Sequence, residues 1–243
     1  MIADLQALWQ EAFGDSQETL DKFFATGFSP DRYHCICQDG RPVCALYRLD
    51  CEVNGKSFAY LYAMATLKSH RGKGLARRLL GETHEILKNQ GYAGAILVPG
   101  EPSLYGFYEK TGYRTVTTVR EFSCVAAAEP VALQEVVAAE YARLRKMMLP
   151  PGGVVQEGET LSYLATYAKL YKGEDFLLSA TKEGENLLVH EMLGNANCCG
   201  NILCALACKT GRFRTPGTGR KFAMYLPFTA DCPQPTYFGL ALD

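Results

Sequence analysis

The chain has almost no net charge. Its 243 residues include 25 Lys and Arg against 26 Asp and Glu, which leaves a formal charge of −1 at pH 7. The sequence also has no run of basic residues. The positive surface of a protein that binds nucleic acid or an anionic membrane is therefore missing. We expect neither nucleic acid nor a membrane as a partner.

Long apolar runs and leader-like segments are missing as well. No stretch approaches the roughly 20 apolar residues that a membrane-spanning helix needs. The first residues, Met1-Ile2-Ala3-Asp4-Leu5, contain neither the basic nor the apolar part of a secretory signal. The hydrophobic fraction of 48% and charged fraction of 21% are those of an ordinary soluble globular protein. We therefore predict a cytoplasmic protein.

Cysteine is abundant, with ten residues, but the paired C-x-x-C spacing of most zinc sites is absent. Most of the cysteines lie within apolar patterns, where a reduced thiol acts as a small hydrophobic side chain. We therefore predict no metal. A zinc site built from Cys198 and Cys199 with Cys204 or Cys208 is the alternative, although its spacing departs from the usual ligand pairs.

One stretch organises the first half of the chain. The apolar run over residues 59–67 predicts a buried strand, and apolar residues at helical spacing predict a helix over 75–89. The turn between them contains Arg71-Gly72-Lys73-Gly74. A helix N-terminus offers unpaired N–H donors and a positive dipole, which suit a phosphate group. The glycines let the backbone approach the anion, and Arg71 and Lys73 add positive charge. The sequence therefore predicts a phosphate-binding loop.

This loop resembles that of a known family. The run Arg71-Gly72-Lys73-Gly74-Leu75-Ala76 is similar to the (Arg/Gln)-x-x-Gly-x-(Gly/Ala) acetyl-CoA loop of the GCN5-related N-acetyltransferases (GNATs). Downstream, Phe107-Tyr108-Glu109-Lys110-Thr111-Gly112-Tyr113 resembles that family's FYEKxGF segment. The resemblance covers the first half of the chain. It implies an α/β (α+β) GNAT fold, with a mixed central sheet flanked by helices, and acetyl-CoA as co-substrate.

The resemblance also implies roles for individual residues. In relatives, the strand before the loop bulges away from its parallel neighbour, here residues 93–98, and its freed backbone pairs with pantetheine. The residues expected to bind the cofactor are Met64, Ala65, Thr66, Arg71, Gly72, Lys73, Gly74, Leu75, Ala76, Arg77, Ser103 and Tyr105. Tyr108 aligns with the tyrosine that protonates the departing CoA thiolate. The structural alternative for Tyr108 is a packed side chain in a short amphipathic helix.

The sequence does not single out a general base. His70 adjoins the loop, and we place His84 on the exposed face of the helix over 75–89. Glu191, beside His190, reaches the cleft only if the two halves share one sheet. In Eis-like aminoglycoside acetyltransferases the terminal carboxylate enters the active site, and Asp243 is the corresponding candidate here. The catalytic candidates are therefore Tyr108, Glu191 and Asp243, and a water chain that relays the proton is the alternative to any dedicated base.

The remaining pattern predicts the other elements and the domain boundary. Helices are predicted over residues 2–13, 17–26, 104–110, 131–148, 160–171 and 200–210. Strands are predicted over 33–38, 43–53, 93–98, 113–125, 176–180, 187–192, 212–217, 221–228 and 237–242. We expect the strand over 113–125 to complete the first sheet. The segment Ala126-Ala127-Ala128-Glu129-Pro130 then separates a catalytic GNAT domain, residues 1–127, from a second domain, residues 128–243.

The second half repeats the order of the first. A strand ending at Gly194 leads through Asn195-Ala196-Asn197 into a helix and then a strand, as at the Arg71 loop. Because this second loop has no Arg or Lys, we predict a smaller, degenerate GNAT-like lobe that does not bind a second CoA. The run Gly217-Thr218-Gly219-Arg220-Lys221 is predicted to be a hairpin turn, because no helix follows it.

These observations predict an acetyl-CoA-dependent N-acetyltransferase, an acyltransferase in which the amine of a small molecule attacks the thioester directly. A protein or peptide amine is the alternative acceptor. A non-catalytic acyl-CoA-binding or regulatory module is the alternative from another functional class. The sequence leaves open whether the protein is a homo-oligomer.

Overall fold

A computed structural model describes residues 2–242 of the chain. The helices are α1 (Ile2–Phe13), α2 (Gln17–Thr26), α3 (Leu75–Asn89), α4 (Tyr105–Glu109), α5 (Ala138–Met148), α6 (Glu159–Leu164) and α7 (Cys199–Ala205). The strands are β1 (Tyr33–Gln38), β2 (Arg41–Val53), β3 (Lys56–Thr66), β4 (Gly94–Leu97), β5 (Arg114–Thr115), β6 (Thr118–Val125), β7 (Gln134–Glu135), β8 (Val155–Gln156), β9 (Lys169–Lys172), β10 (Phe176–Glu183), β11 (Asn186–Gly194), β12 (Thr210–Pro216), β13 (Arg220–Lys221) and β14 (Met224–Pro227). Among these residues, no helix has the length and apolar character that crossing a bilayer requires. The predicted α/β class is confirmed.

The chain divides into two compact units. The first comprises the residues up to Arg114 together with Tyr225–Pro233. The second comprises Thr115–Met224 together with the residues from Gln234 onward. The predicted division between residues 127 and 128 falls inside the second unit. The first unit ends earlier, at Arg114, and also includes Tyr225–Pro233.

The first unit is built on a mixed sheet in the order β1-β2-β3-β4-β14-β5. Strands β1, β2 and β3 form an antiparallel meander, joined by the two-residue turns Asp39-Gly40 and Asn54-Gly55. All four turn residues have positive φ, between 49° and 78°, as tight hairpin turns require. Strand β4 then runs parallel to β3, and α3 is the crossover between them.

The sequence pattern predicted the first three helices with their observed bounds. Helix α2 begins after Ser16, whose hydroxyl accepts a hydrogen bond from the Thr19 N–H at 3.1 Å, a standard N-cap. Helix α1 buries Leu5, Leu8 and Trp9. Local signals decide these helices because each has an amphipathic face at helical spacing.

The sequence predicted that residues 113–125 form one strand of the first sheet, and this prediction is wrong. They form β5 and β6, and β6 pairs antiparallel with β12 in the second sheet. The run over 217–221 is not a hairpin turn either, because β12 and β13 pair with opposite edges of β6. In both cases pairing with distant strands decides the structure, which the local residue pattern cannot show.

Three predicted helices are shorter than expected. The helix over 200–210 ends at Ala205, and Thr210 begins β12. The helix over 131–148 begins only at Ala138, because Gln134–Glu135 pairs with β9 as β7. The helix over 160–171 ends at Leu164, and Lys169–Lys172 becomes β9 beside β10. The predicted strand over 221–228 is likewise divided, into β13 and β14. For the predicted strand over 237–242, the structure has a single bridge between Gly153 and Tyr237.

The second unit has its own mixed sheet, in the order β13-β6-β12-β11-β10-β9-β7. Here β11 and β12 are parallel and α7 is the crossover between them. Leu187, Val189 and Phe213 from this sheet pack with Ile202 and Leu203 of α7 in a buried core. The second unit therefore contains the strand–helix–strand order that the sequence predicted.

Candidate functional site

Strands β3 and β4 part within the first unit. Their parallel pairing joins Phe58 to Gly94, Ala59 to Ala95 and Tyr60 to Ile96, although β3 continues to Thr66. The β2–β3 register shifts in the same region, and Ala63 has a φ of 51°. Such a shift with one residue in the left-handed region is a β-bulge, which bends a strand away from its neighbour. The predicted bulge in β3 is present, and β3 extends past its last pair with β4, which itself ends at Leu97.

A buried tryptophan holds this bulge. The Trp9 indole Nε1–H donates a hydrogen bond of 2.9 Å to the Ala63 carbonyl. Trp9 is 2% exposed, and its ring packs against Phe23 and Phe24 with centroid separations of 5.4 and 5.7 Å. The carbonyl that the bulge removes from the ladder is thereby satisfied by α1, which favours the bent strand.

Met64, Ala65 and Thr66 follow the bulge. On one edge they lie along β2, where Ala65 pairs with Ala45 and Thr66 with Cys44. Their other edge lies beyond the last residue pair with β4. Backbone N–H and C=O groups on this edge are therefore placed where an extended ligand can pair with them.

The glycine-containing loop leads from β3 into α3. Gly72 and Gly74 have φ values of 77° and 75°, and Gly74 is the N-cap of α3. A β-carbon on either glycine would meet nothing within 4 Å, so the backbone conformation, rather than space, favours glycine here. The whole run from Arg71 to Gly74 is exposed.

Several N–H groups lie ahead of the first hydrogen bond of α3. The first hydrogen bond of α3 runs from the Arg78 N–H to the Gly74 carbonyl at 3.1 Å, so the N–H groups of Leu75, Ala76 and Arg77 precede it. The first turn of α3 contains no acidic residue. The Arg71 Nε–H donates to the Thr66 carbonyl at 3.2 Å, which ties the loop to the end of β3. This arrangement suits a phosphate group.

Tyr108 lies in α4 and is 7% exposed. Burial raises its pKa to about 12, so its phenol stays protonated at neutral pH. Its ring packs against Phe107 and Tyr113, with centroid separations of 5.1 and 5.8 Å. A buried, protonated phenol could donate a hydrogen bond to a leaving group, and the same packing also fits the structural alternative.

The other two expected contacts near α4 lie at its start. The exposed Ser103 hydroxyl donates to Glu101 Oε2 at 3.2 Å. Tyr105, the first residue of α4, is half-buried. Their contact with a cofactor stays a prediction.

His84 is buried, which corrects the prediction that it lies on the exposed face of α3. It is 7% exposed, and its Nε2 lies 2.8 Å from the Tyr113 hydroxyl. Burial, reinforced by Lys88, lowers the pKa of His84 to about 4, so the imidazole is neutral at pH 7. The spacing of Leu80, His84 and Leu87 carried this signal, because positions i, i+4 and i+7 share one helical face.

His70, beside the loop, is held by two neighbours. Its Nδ1 lies 2.9 Å from the Ser69 hydroxyl and its Nε2 lies 2.9 Å from Gln38 Oε1. Both ring nitrogens therefore have partners within the first unit.

Glu191 lies in the second unit as half of a buried ion pair. Its side chain is 0% exposed and that of Arg145 is 1% exposed. Arg145 binds both carboxylate oxygens, Nε to Oε2 at 2.5 Å and the second guanidinium nitrogen to Oε1 at 2.9 Å. A carboxylate that is the counter-ion of a buried arginine is poorly placed to accept a proton from a substrate, which argues against Glu191 as the base. Asp243, the other acidic candidate, lies outside the described residues.

In the second unit, the segment around Gly239 lies against side chains of both parallel strands beyond their last residue pair. Strands β11 and β12 pair only from Asn186–Leu188 to Thr210–Arg212. Beyond that point, Arg214 of β12 donates to the Gly239 carbonyl at 3.3 Å. A β-carbon at Gly239 would lie 2.8 Å from Glu191 Oε1 of β11. The buried segment around Gly239 therefore contacts both strands past their last pair, which fits the predicted degenerate lobe.

Metal ligands are not clustered in the part of the chain that the structure describes. Within residues 2–242, no group of three or more His, Cys, Asp or Glu side chains is arranged to hold a metal ion. All ten cysteines are free thiols. The buried Cys199 thiol lies 3.6 Å from the Met192 sulfur, as a packed apolar side chain does.

Comparisons with known proteins agree with this geometry. No curated protein sequence matches the chain. The structure is similar to a GCN5-related N-acetyltransferase from Anabaena variabilis, with a TM-score of 0.72, 14% identity and coverage of 92% of this chain and 69% of that one. It is similar to a GCN5-related N-acetyltransferase from Kribbella flavida, with a TM-score of 0.67, 16% identity and coverage of 92% and 68%. It is also similar to Eis1 from Mycobacterium abscessus, with a TM-score of 0.64, 12% identity and coverage of 91% and 70%.

At these identities the structural similarities show the fold, and they extend across both units of the chain. The family evidence is local to the first unit and the residues just after it: residues 2–116 match the model of the acetyltransferase (GNAT) domain. That range contains the bulged strand, the glycine loop and Tyr108. The family uses acetyl-CoA. Residues 2–116 of this chain are therefore similar to the acetyltransferase (GNAT) domain, and the remainder of the chain is outside that match.

Proposed function

We propose that the protein transfers the acetyl group of acetyl-CoA to a primary amine of a small molecule. The observation that carries this proposal is the parting of β3 from β4 directly before the glycine loop and α3. This places an unpaired strand edge and a phosphate-binding helix N-terminus next to each other in the chain. The two features match the two chemically distinct parts of acetyl-CoA, the amides of pantetheine and the pyrophosphate.

The donor is held mainly by backbone groups. The free edge of Met64–Thr66 pairs with the pantetheine amides, as one more strand would. The N–H groups from Gly72 to Arg77 bind the pyrophosphate, and the side chains of Arg71 and Lys73 add charge. Ser103 and Tyr105 line the cofactor from the start of α4. The geometry of the bulge and of the α3 N-terminus supports these assignments.

A backbone N–H on the free edge of β3 polarises the thioester carbonyl while the amine attacks its carbon. The C–S bond then breaks and the sulfur leaves as a thiolate. Tyr108 donates a hydrogen bond to this sulfur. A phenol with a pKa of about 12 lies roughly 3.5 units above an ordinary thiol, so complete proton transfer costs about 5 kcal/mol. We therefore expect Tyr108 to act by hydrogen bonding, which is worth about 1.5–3 kcal/mol to a charged acceptor and corresponds to about 10- to 100-fold in rate.

The amine must lose a proton during the reaction. Since Glu191 is bound to Arg145, Asp243 or a chain of water molecules takes this proton in our proposal. Two variants separate these alternatives: Asp243→Asn removes the side-chain carboxylate, and a residue added after Asp243 displaces the terminal carboxylate. Unchanged turnover in both variants supports the water chain. The small-molecule acceptor rests on the resemblance to two-lobed relatives noted in the sequence.

The test is thiol release from acetyl-CoA in the presence of two panels of amines, one of small molecules and one of peptides with free N-termini or lysines. Turnover with a small amine that is lost in Gly74→Glu supports the proposal. Turnover with peptides alone contradicts the acceptor class but leaves acetyl transfer intact. Binding of acetyl-CoA with no turnover of any amine would mean a non-catalytic acyl-CoA-binding module.

A further inference from the structure

Two thiols are in contact on strand β1. The sulfurs of Cys35 and Cys37 lie 3.5 Å apart. Cys37 is exposed and Cys35 is half-buried, so the pair is open to solvent from the side of Cys37. Strand β1 is at one end of the strand order of the first sheet, with β2 beside it. We call Cys35 and Cys37 the thiol pair.

The thiol pair lies at an irregularity of the β1–β2 ladder. Alternate residues of a strand share one face, and their Cα atoms are about 6.4–6.8 Å apart. This is the upper end of the range of about 4.4–6.8 Å that a disulfide spans. The register shifts here: Ile36 pairs with Cys44, whereas Cys37 pairs with Pro42. Val43 of β2 is therefore an extra residue, as in a β-bulge, and the disrupted ladder constrains the backbone at Cys37 less than a regular strand does.

Only surface groups have to move for the two sulfurs to join. An S–S bond is about 2.05 Å long, so the sulfurs need to approach by roughly 1.5 Å. Cys37 is followed by Gln38, the last residue of β1, and by the exposed turn Asp39-Gly40. The approach therefore takes place by rotation of two short side chains and a small shift of the end of β1, and not in the packed core.

Exposure separates the thiol pair from a third thiol nearby in the sequence. Cys44 of β2 is 0% exposed, and its sulfur accepts a hydrogen bond of 3.1 Å from the Thr66 hydroxyl. Thiol–disulfide exchange requires an accessible attacking sulfur. Cys37 meets this requirement and Cys44 does not. An external disulfide therefore reacts first at Cys37, with Cys35 in contact with it.

We propose that Cys35 and Cys37 are a reversible dithiol–disulfide couple that exchanges with a small disulfide of the glutathione type. In the first step the Cys37 thiolate attacks one sulfur of glutathione disulfide, and the other half leaves as a thiolate. In the second step Cys35, on losing its proton, attacks the Cys37 sulfur and the second glutathione leaves. The protein loses two electrons and two protons, which convert one glutathione disulfide into two glutathione thiols. This site is independent of the acetyl-CoA loop and of the acetyl transfer proposed above.

The disulfide should be easy to reduce. Its ring closes across two residue steps of an extended strand, a spacing at the limit of disulfide geometry. Strained or exposed disulfides are the labile ones, whereas structural disulfides resist reduction by the glutathione pool. We therefore expect the thiol pair to stay reduced where reduced glutathione predominates and to close where the oxidised form does.

The test is to equilibrate the protein with glutathione buffers that range from fully reduced to fully oxidised. Desolvation, and then the neighbouring Cys35, raise the pKa of the Cys37 thiol, so the buffer is held at about pH 8 to supply thiolate. The samples are quenched with acid, alkylated with N-ethylmaleimide in denaturant and digested with trypsin. Residues 33–48 then form one peptide, because trypsin does not cleave between Arg41 and Pro42.

The readout is the number of alkylated cysteines in this peptide, which contains Cys35, Cys37 and Cys44. In oxidised glutathione we expect the loss of two alkylation sites and of two hydrogen atoms, with Cys44 still alkylated. Excess reduced glutathione should restore all the sites. Fragmentation of the peptide shows whether the link joins Cys35 to Cys37, and this measurement needs no variant.

Variants identify the role of each thiol. Cys35→Ser removes the second attacking group, so Cys37 should retain one glutathione as a mixed disulfide. Cys232→Ser is the matched control, a half-buried cysteine of the first unit, and should leave closure unchanged. Thermal unfolding checks that each variant is folded. If one is not, the peptide of the unmodified protein decides alone.

Three results would overturn the proposal. One is full alkylation of Cys35 and Cys37 in oxidised glutathione. Another is a mixed disulfide that persists on Cys37 of the unmodified protein, or a link from Cys37 to Cys44 or to a second chain, since each shows that Cys35 does not attack the Cys37 sulfur. The third is a disulfide that excess reduced glutathione does not reopen, which would mean a fixed structural cross-link.

Discussion

Gly74→Glu tests the acetyl-CoA loop most directly. Gly74 has a φ of 75° at the N-cap of α3, and a side chain there would point into open space. The substitution therefore creates no steric clash. It has two effects, a left-handed conformation for a residue with a β-carbon and a carboxylate beside the N–H groups that the pyrophosphate needs.

The two effects have different magnitudes. A left-handed conformation costs a residue with a β-carbon about 1–2 kcal/mol, so the free energy of unfolding should fall by that amount. For binding, the carboxylate occupies the same N–H groups as the pyrophosphate and repels it. We expect the Kd for acetyl-CoA to rise at least about 100-fold, which corresponds to about 2.7 kcal/mol.

Gly40→Glu is the matched control. Gly40 lies in the β1–β2 turn, also with a φ of 75° and with nothing within 4 Å of a β-carbon. Both variants should lose similar stability in thermal unfolding, but only Gly74→Glu should lose acetyl-CoA affinity by calorimetry. If the two variants bind acetyl-CoA equally well, the loop before α3 does not hold the pyrophosphate and the predicted donor site is wrong.

Three further substitutions test other parts of the structure. Trp9→Phe removes the hydrogen bond to the Ala63 carbonyl, so it should lower the free energy of unfolding by about 1–2 kcal/mol and weaken acetyl-CoA binding. The control Phe24→Leu should lower stability alone. Equal acetyl-CoA affinities of the two variants would show that the bulge does not depend on the indole. Glu191→Gln leaves the buried Arg145 cation unpaired, so it should lower the free energy of unfolding by about 3–5 kcal/mol in denaturant titrations. A variant that is stable but inactive would restore Glu191 as a catalytic candidate. Folding lowers the pKa of His84 from 6.5 to about 4, so its contribution to the free energy of unfolding is complete above pH 6.5 and is lost as the pH falls towards 4. We expect the free energy of unfolding to fall by about 2–3 kcal/mol over that range in the unmodified protein, and this part of the fall to be absent in His84→Gln. Equal pH profiles of stability for the two proteins would contradict the assignment.

Local patterns predicted much of the first unit. The bounds of α3 follow from its apolar spacing and its preceding glycines, and the turn at Asp39-Gly40 follows from the residues that tolerate positive φ. The divergence of β3 from β4 came from the family resemblance, since an apolar run alone does not show a bulge. Trp9 was predicted as part of an apolar face, but its hydrogen bond to Ala63 joins residues 54 positions apart and has no sequence signal.

The second unit was harder to predict because distant strands determine it. Residues 134–135 and 169–172 pair with each other as β7 and β9, and neither segment has a strand-like pattern strong enough to outweigh helical spacing. The pairing of Glu191 with Arg145 was missed for a related reason: the two residues are 46 positions apart and come from different elements. A charged residue in an apolar strand, as at Glu191, was the available signal that a buried partner exists.

The two strand–helix–strand arrangements explain why we expect one donor site rather than two. In each unit the parallel strands share three residue pairs and then part. Strands that part leave backbone N–H and C=O groups unpaired, and such groups need a partner other than the neighbouring strand. In the second unit the segment around Gly239 lies against both β11 and β12 beyond their last pair. In the first unit, Trp9 satisfies one carbonyl of the bulge, and the edge of β3 from Met64 to Thr66 continues beyond the last pair with β4 towards the glycine loop. In the second arrangement, side chains of the two strands contact the chain's own segment around Gly239, whereas in the first we propose that acetyl-CoA takes the corresponding place.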